Sequence, residues 1–127
     1  MSTTGASPRR REGGSISLEF ALALPAFFLM VLAFLHTVAF ARDLVVVQVA
    51  AREGARAAAV TRDDAEVHAA VEAAVDGRGA RISVSPRQRS TGDLVRVEVV
   101  LPTRLPVGPS TVTGSAVARV EAIVDAP

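Results

Sequence analysis

Glu19 is the residue whose type and position most demand a chemical explanation. It is a carboxylate at the head of a run, Phe20 to Ala41, in which no residue carries a formal charge. A carboxylate at the start of a membrane helix must lie at the interface, be protonated or be paired. Taken alone, it reads as an interfacial Glu near the positive end of a helix dipole. Other reactive groups are few. The chain has no cysteine and two histidines, His36 and His68. Thiolate metal sites, disulfides and cysteine nucleophiles are therefore excluded. His68 has no second histidine nearby and reads as a solvated or half-packed side chain. There is no Gly-x-Ser-x-Gly, no glycine-rich phosphate loop and no His-Glu-x-x-His. The expectation is a protein that is not an enzyme, with no metal, cofactor or small-molecule substrate.

The uncharged run is the dominant element. Its 22 residues, at about 1.5 Å each, span about 33 Å, enough to cross a hydrocarbon layer of about 30 Å. A buried helix of a soluble protein is the alternative, and it fails on size. The remainder of a 127-residue chain without aromatics could hardly wrap such a helix on all sides. A transmembrane helix is expected over 15–41. Pro25 falls within it, has no N–H to donate and clashes with the Ala21 carbonyl, so a local kink is expected there.

Charge is distributed unevenly. All 14 basic residues are arginines, and Arg9, Arg10 and Arg11 stand together before the span. After it, Arg42 is followed at once by Asp43, and the signs are mixed. The positive-inside bias thus places the N-terminus in the cytoplasm and the C-terminal part outside, in a single-pass arrangement. All five aromatics (Phe20, Phe27, Phe28, Phe34 and Phe40) lie in the span. With no aromatic beyond it, the rest of the chain offers no platform for stacking bases, and no nucleic-acid role is expected.

Gly14 stands five residues before Glu19, in the string Gly14-Ser15-Ile16-Ser17-Leu18-Glu19-Phe20. With arginines before it and an apolar run after it, this resembles the cleavage site of type IV prepilins. The resemblance implies that a prepilin peptidase cuts between Gly14 and Ser15 and that Glu19, fifth in the mature chain, serves recognition and assembly together with Phe20. A cut after Gly13 would put Leu18 fifth, so the register selects Gly14. Residues 1–14 carry net +2 and the remainder net −1, as a removable basic leader would. Cleavage frees an amine at Ser15, about 6 Å along the helix axis from Glu19. In a filament, the Glu of one subunit could neutralise the amine of a neighbour, setting register more than adding stability.

The stretch Leu18-Glu19-Phe20-Ala21-Leu22-Ala23-Leu24-Pro25 is further similar to the start of TadE-like proteins, minor pseudopilin-type components of tight-adherence (Tad, Flp-type) pili. So is the segment Ala50-Ala51-Arg52-Glu53-Gly54-Ala55-Arg56 beyond the span. The resemblance covers about residues 14–60 and implies partnership with other Tad pilins and with the Tad ATPase and membrane platform. It makes the chain a structural component supporting pilus assembly and adhesion. Arg52, Glu53, Gly54 and Arg56 are then candidate subunit contacts, or else a solvated stalk with an alanine-rich packing face. Two other readings compete. Ala39-Phe40-Ala41 fits a signal peptidase site that would release a small secreted protein, although the run exceeds a usual signal core. A plain, uncut single-span membrane protein is the second.

Beyond the span the helical pattern continues, with Gln48, Arg52 and Arg56 on one face. Thr61 and Asp64 fit a capping box opening a second, short helix whose inward stripe is Val67, Val71 and Val75, ended by Gly77 and Gly79. Strand alternation follows at Ile82–Val84, at Val95–Val99 and over Val112–Val124, with Pro102, Pro106 and Pro109 expected to mark a loop. The expected fold is α+β: a long N-terminal helix, a short helix, then a small antiparallel sheet of about three strands. The part from 61 to 127 would form a small extracytoplasmic domain.

Overall fold

The computed structural model describes residues 1–2, 13–105 and 108–122, with the backbone alone for 13–15, 104 and 105. Arg9 to Arg11, Pro106 and the end of the last expected strand lie outside the described residues. The chain divides into two compact units, Met1–Leu35 and His36–Pro127.

Helix α1 runs from Gly13 to Val60, 48 residues. Its early part, within the first unit, shows side chains on every side with no polar stripe. From Ile16 to Met30 every residue is exposed, including Phe20, Leu22, Phe27, Phe28 and Met30. Phe27 and Phe28 meet edge to face, with centroids 6.1 Å apart. A helix apolar all round does not bury one face against a water-soluble core. Pro25 sits inside the helix without ending it.

The second unit packs the last part of α1 and helix α2 (Asp64–Ala74) against one face of a three-stranded sheet. The strands are β1 (Arg81–Ser85), β2 (Leu94–Leu105) and β3 (Gly108–Arg119), in the order β1-β2-β3. Both pairings are antiparallel, with Ser83 opposite Glu98 and Glu98 opposite Ser115. Period-two alternation makes the inner row of β2, namely Val95, Val97, Val99 and Leu101, fully buried, while Arg96 and Glu98 face out. The core is completed by Val67, Val71 and Val75 of α2 and by Val47, Ala50, Ala51, Ala55 and Ala58 of α1. It contains no fully buried aromatic; Phe40 packs at its margin. The fold is thus α+β, with the element order expected from the sequence.

Four local details differ from the sequence expectation. The cap of α2 is Asp63, whose side chain accepts from the Ala65 N–H at 2.9 Å. Thr61 instead accepts from the Asp63 N–H at 3.1 Å, tightening the turn before the helix. The helix already ends at Ala74, and Asp76 (φ 54°) enters the left-handed region ahead of Gly77 (φ 65°). Pro102 and Pro109 lie inside β2 and β3. β1 reaches only to Val100, so beyond that point β2 has a partner on one side, and β3 is an edge strand throughout. At such positions an N–H can point away from any ladder, and proline is tolerated. Finally, β3 stops at Arg119. Val120 then trades hydrogen bonds with the β1–β2 loop at Gly92 and Asp93, both 2.8 Å, and the Glu121 N–H donates to the Ala59 carbonyl at 2.9 Å.

That loop holds a buried residue that a reading of it as a polar turn misses. Arg89 donates to the Asp64 carboxylate at 2.9 Å and to the Thr61 carbonyl at 3.3 Å. Its side chain is fully buried. It binds the β1–β2 loop to the junction of α1 and α2.

Helix and sheet approach most closely at two glycines. A Cβ on Gly114 of β3 would lie 2.6 Å from the Val47 carbonyl oxygen and 3.0 Å from the Gln48 nitrogen, both backbone. A Cβ on Gly54 of α1 would lie 2.6 Å from a methyl of Val71 and 2.9 Å from one of Val97. Overpacking of this kind costs about 1–3 kcal/mol. At Gly54 it is partly offset by the helix preference for alanine, about 1 kcal/mol. Gly114→Ala is therefore expected to lower the thermal midpoint more than Gly54→Ala. Circular dichroism melts of the detergent-solubilised full chain check this; equal midpoints would show that the helix can shift off the strand freely.

Candidate anchor and processing segment

The residues singled out in the sequence fall on one helix, in two groups. Gly14 and Ser15 lie in the first turn of α1, and Glu19 and Phe20 in the next. Glu19 is four residues beyond Ser15, about one turn and 6 Å along the axis. Both Glu19 and Phe20 are exposed. Gly13 and Gly14 at the helix start are weak helix formers, each costing about 1 kcal/mol relative to alanine. The first turn is therefore the part of α1 that opens at least cost.

The second group lies on α1 in the second unit. Arg52, Glu53 and Arg56 are exposed, whereas Gly54 is buried. The close approach that Gly54 permits is made within the chain, to Val71 of α2 and Val97 of β2. Gln48, on the same face as Arg52 and Arg56, turns its amide to the Ser115 carbonyl of β3 at 3.0 Å. Arg52 and Arg56 line a groove between α1 and β3, with Ala55 and Ala59 as its floor. Nearer the apolar segment, Asp43 pairs with Arg78 at 2.8 Å and fixes the α2–β1 turn to α1. His36 is half-buried and His68 exposed. Among the described residues no three histidines or carboxylates converge on a common point.

Among the described residues one helix is long and apolar enough to cross a membrane, and this fits a single-pass membrane protein. Residues 14–56 match the family of TadE-like proteins, so the chain carries a TadE-like segment. No curated protein and no solved structure matches the chain. The matched stretch begins at Gly14 and takes in Glu19, the whole apolar run and the Arg52–Arg56 segment; α2 and the sheet lie beyond it.

The chain's lack of cysteine makes the span directly testable. A Leu29→Cys variant is expected to resist a charged maleimide in intact membranes and to react once they are dissolved. His68→Cys should react readily in opened vesicles. Equal labelling of both sites in intact membranes would remove the membrane reading of α1.

Proposed function

We propose that the chain is a structural minor pilin or pseudopilin of a Tad-type pilus, made with a basic leader that a prepilin peptidase removes after Gly14. The observation that carries the reading is the family match, which opens at Gly14 and runs through Glu19 and the apolar helix. The weak first turn at Gly13-Gly14 supports it, because a peptidase needs an opened backbone. The leader then stays in the cytoplasm, the apolar part of α1 anchors the chain, and the α+β domain stands outside. The chain itself catalyses nothing; the chemistry belongs to the peptidase. Its partners are that peptidase, the other Tad pilins and the Tad ATPase and platform, and its contribution is to assembly and adhesion.

After cleavage the Ser15 amine and the Glu19 carboxylate carry opposite charges one helical turn apart. In low dielectric neither is tolerable alone. Paired between neighbouring subunits, they fix the axial offset of one helix against the next.

The intact mass and N-terminal sequence of the membrane-extracted protein test the reading. A mature chain starting at Ser15 is expected. A start at Arg42 in the soluble fraction would make this a secreted domain, and an uncut chain a plain membrane anchor; either result overturns the proposal. Glu19→Ala is expected to abolish incorporation into sheared pili while leaving the chain in the membrane. Wild-type recovery of the variant in the pilus fraction would remove the role given to Glu19.

A further inference from the structure

We propose that the groove between α1 and β3 receives the outer face of α2 from a second copy of this chain. The groove, of about 470 Å³, has an alanine floor at Ala55 and Ala59 and is flanked by Arg52, Arg56 and Arg119, with Glu121 at one end. Three cations against one carboxylate leave it net positive. Arg119 is held by the Gly92 carbonyl at 3.2 Å. Arg52 and Arg56 are exposed and have no side-chain partner among the described residues.

The complementary surface lies on the same fold. From Asp63 to Asp76 the chain carries five carboxylates and no arginine. Val67 and Val71 turn inward, which leaves Ala65, Glu66, Ala69 and Ala73 exposed on the outside, with Glu72 half-buried beside them and Asp76 exposed at the end. Asp64 is engaged by Arg89 and Asp63 by the Ala65 N–H that it caps, which leaves Glu66, Glu72 and Asp76 without a side-chain partner among the described residues. An alanine-faced helix can approach an alanine floor closely, because the separation of packed elements follows side-chain size. Its carboxylates then meet the arginines at the rim, where charge decides the partner more than it adds affinity.

Topology makes the occupant another copy. α2 packs toward the β1 side of the sheet, and the groove opens at β3, the opposite edge. A chain cannot insert its own α2 there. The two surfaces also stand at one level along α1: Val71 of α2 lies against Gly54, and the groove runs from Arg52 to Ala59. Copies whose domains lie side by side with this part of α1 parallel therefore present groove to helix without offset along it. Such a contact is head to tail and continues from copy to copy. It requires only this side-by-side arrangement and holds whether or not the chain is cleaved or enters a pilus.

Disulfide trapping tests this in membranes of cells that express the full chain and no other pilus protein. Val117 lines the groove and is 51% exposed; Ala69 is on the outer face of α2. The double variant Val117→Cys/Ala69→Cys is expected to give a ladder of linked dimers, trimers and longer species under mild oxidation. Mixing the two single-cysteine chains should give a dimer that needs both. Arg52→Glu/Arg56→Glu should lower the yield at least fivefold, and adding Glu66→Arg/Glu72→Arg in the same chain should restore it. Circular dichroism melts control for folding, and Arg52→Ala/Arg56→Ala replaces the reversal if that variant does not fold. No adduct, adducts of each single variant with itself only, or a ladder indifferent to charge reversal would each overturn the proposal. None of these results depends on where the mature chain begins.

Discussion

The distance between helix α1 and the sheet is the constraint on which the domain depends. Every aromatic of the chain lies at or before Phe40, so the part beyond it must bury its surface with valine, alanine and leucine. Small side chains fill a thin layer. The helix must therefore lie close to the strands, and close contact is possible only where no side chain intervenes. Gly114 meets the helix backbone at Val47 and Gln48, and Gly54 meets the valines of α2 and β2. Alanines at 50, 51, 55 and 58 line the rest of the contact. A core of this kind gains little from any one residue and is sensitive to added volume, since interiors are packed to near crystal density.

The same constraint explains where the polar work is done. With a thin core, the loops are tied down by directed bonds. Arg89 joins the β1–β2 loop to the α1–α2 turn, and Arg78 joins the α2–β1 turn to Asp43. Val120 and Glu121 stitch the end of the sheet to Asp93 and Ala59. The sheet's outer face is left to Arg96, Glu98 and Ser115, and its long β3 edge is partly covered by the Gln48 amide. Covering one acceptor on an edge strand limits unwanted strand addition.

Much of this was legible in the sequence because it follows from periodicity. The apolar run, the Val67–Val71–Val75 stripe and the alternation in β1 and β2 each report a face, and a face is what the fold buries. Features that depend on three-dimensional neighbours were not legible. Proline signalled a loop at 102 and 109, but the finding that turns it into strand is the shortness of β1, a pairing property with no local trace. Thr61-x-x-Asp64 fits a capping box, yet Asp63 lies nearer the first free N–H groups and caps the helix. Arg89 looked like one more turn residue; its burial follows from the approach of a different loop. Gly54 read equally well as a subunit contact or a packing residue, and the structure places it against α2 and β2. The site residues at Gly14, Ser15 and Glu19 rest on spacing and on the family match, since the leader lies outside the described residues.

Helix α1 changes character along its length. From Ile16 to Leu35 the helix shows apolar side chains in every direction; from Val47 onward it has an inner face of valine and alanine and an outer face that includes Arg52, Glu53 and Arg56. No glycine or proline interrupts it between Pro25 and Gly54. A break there would leave carbonyls unsatisfied at the edge of the apolar region, where they cost most.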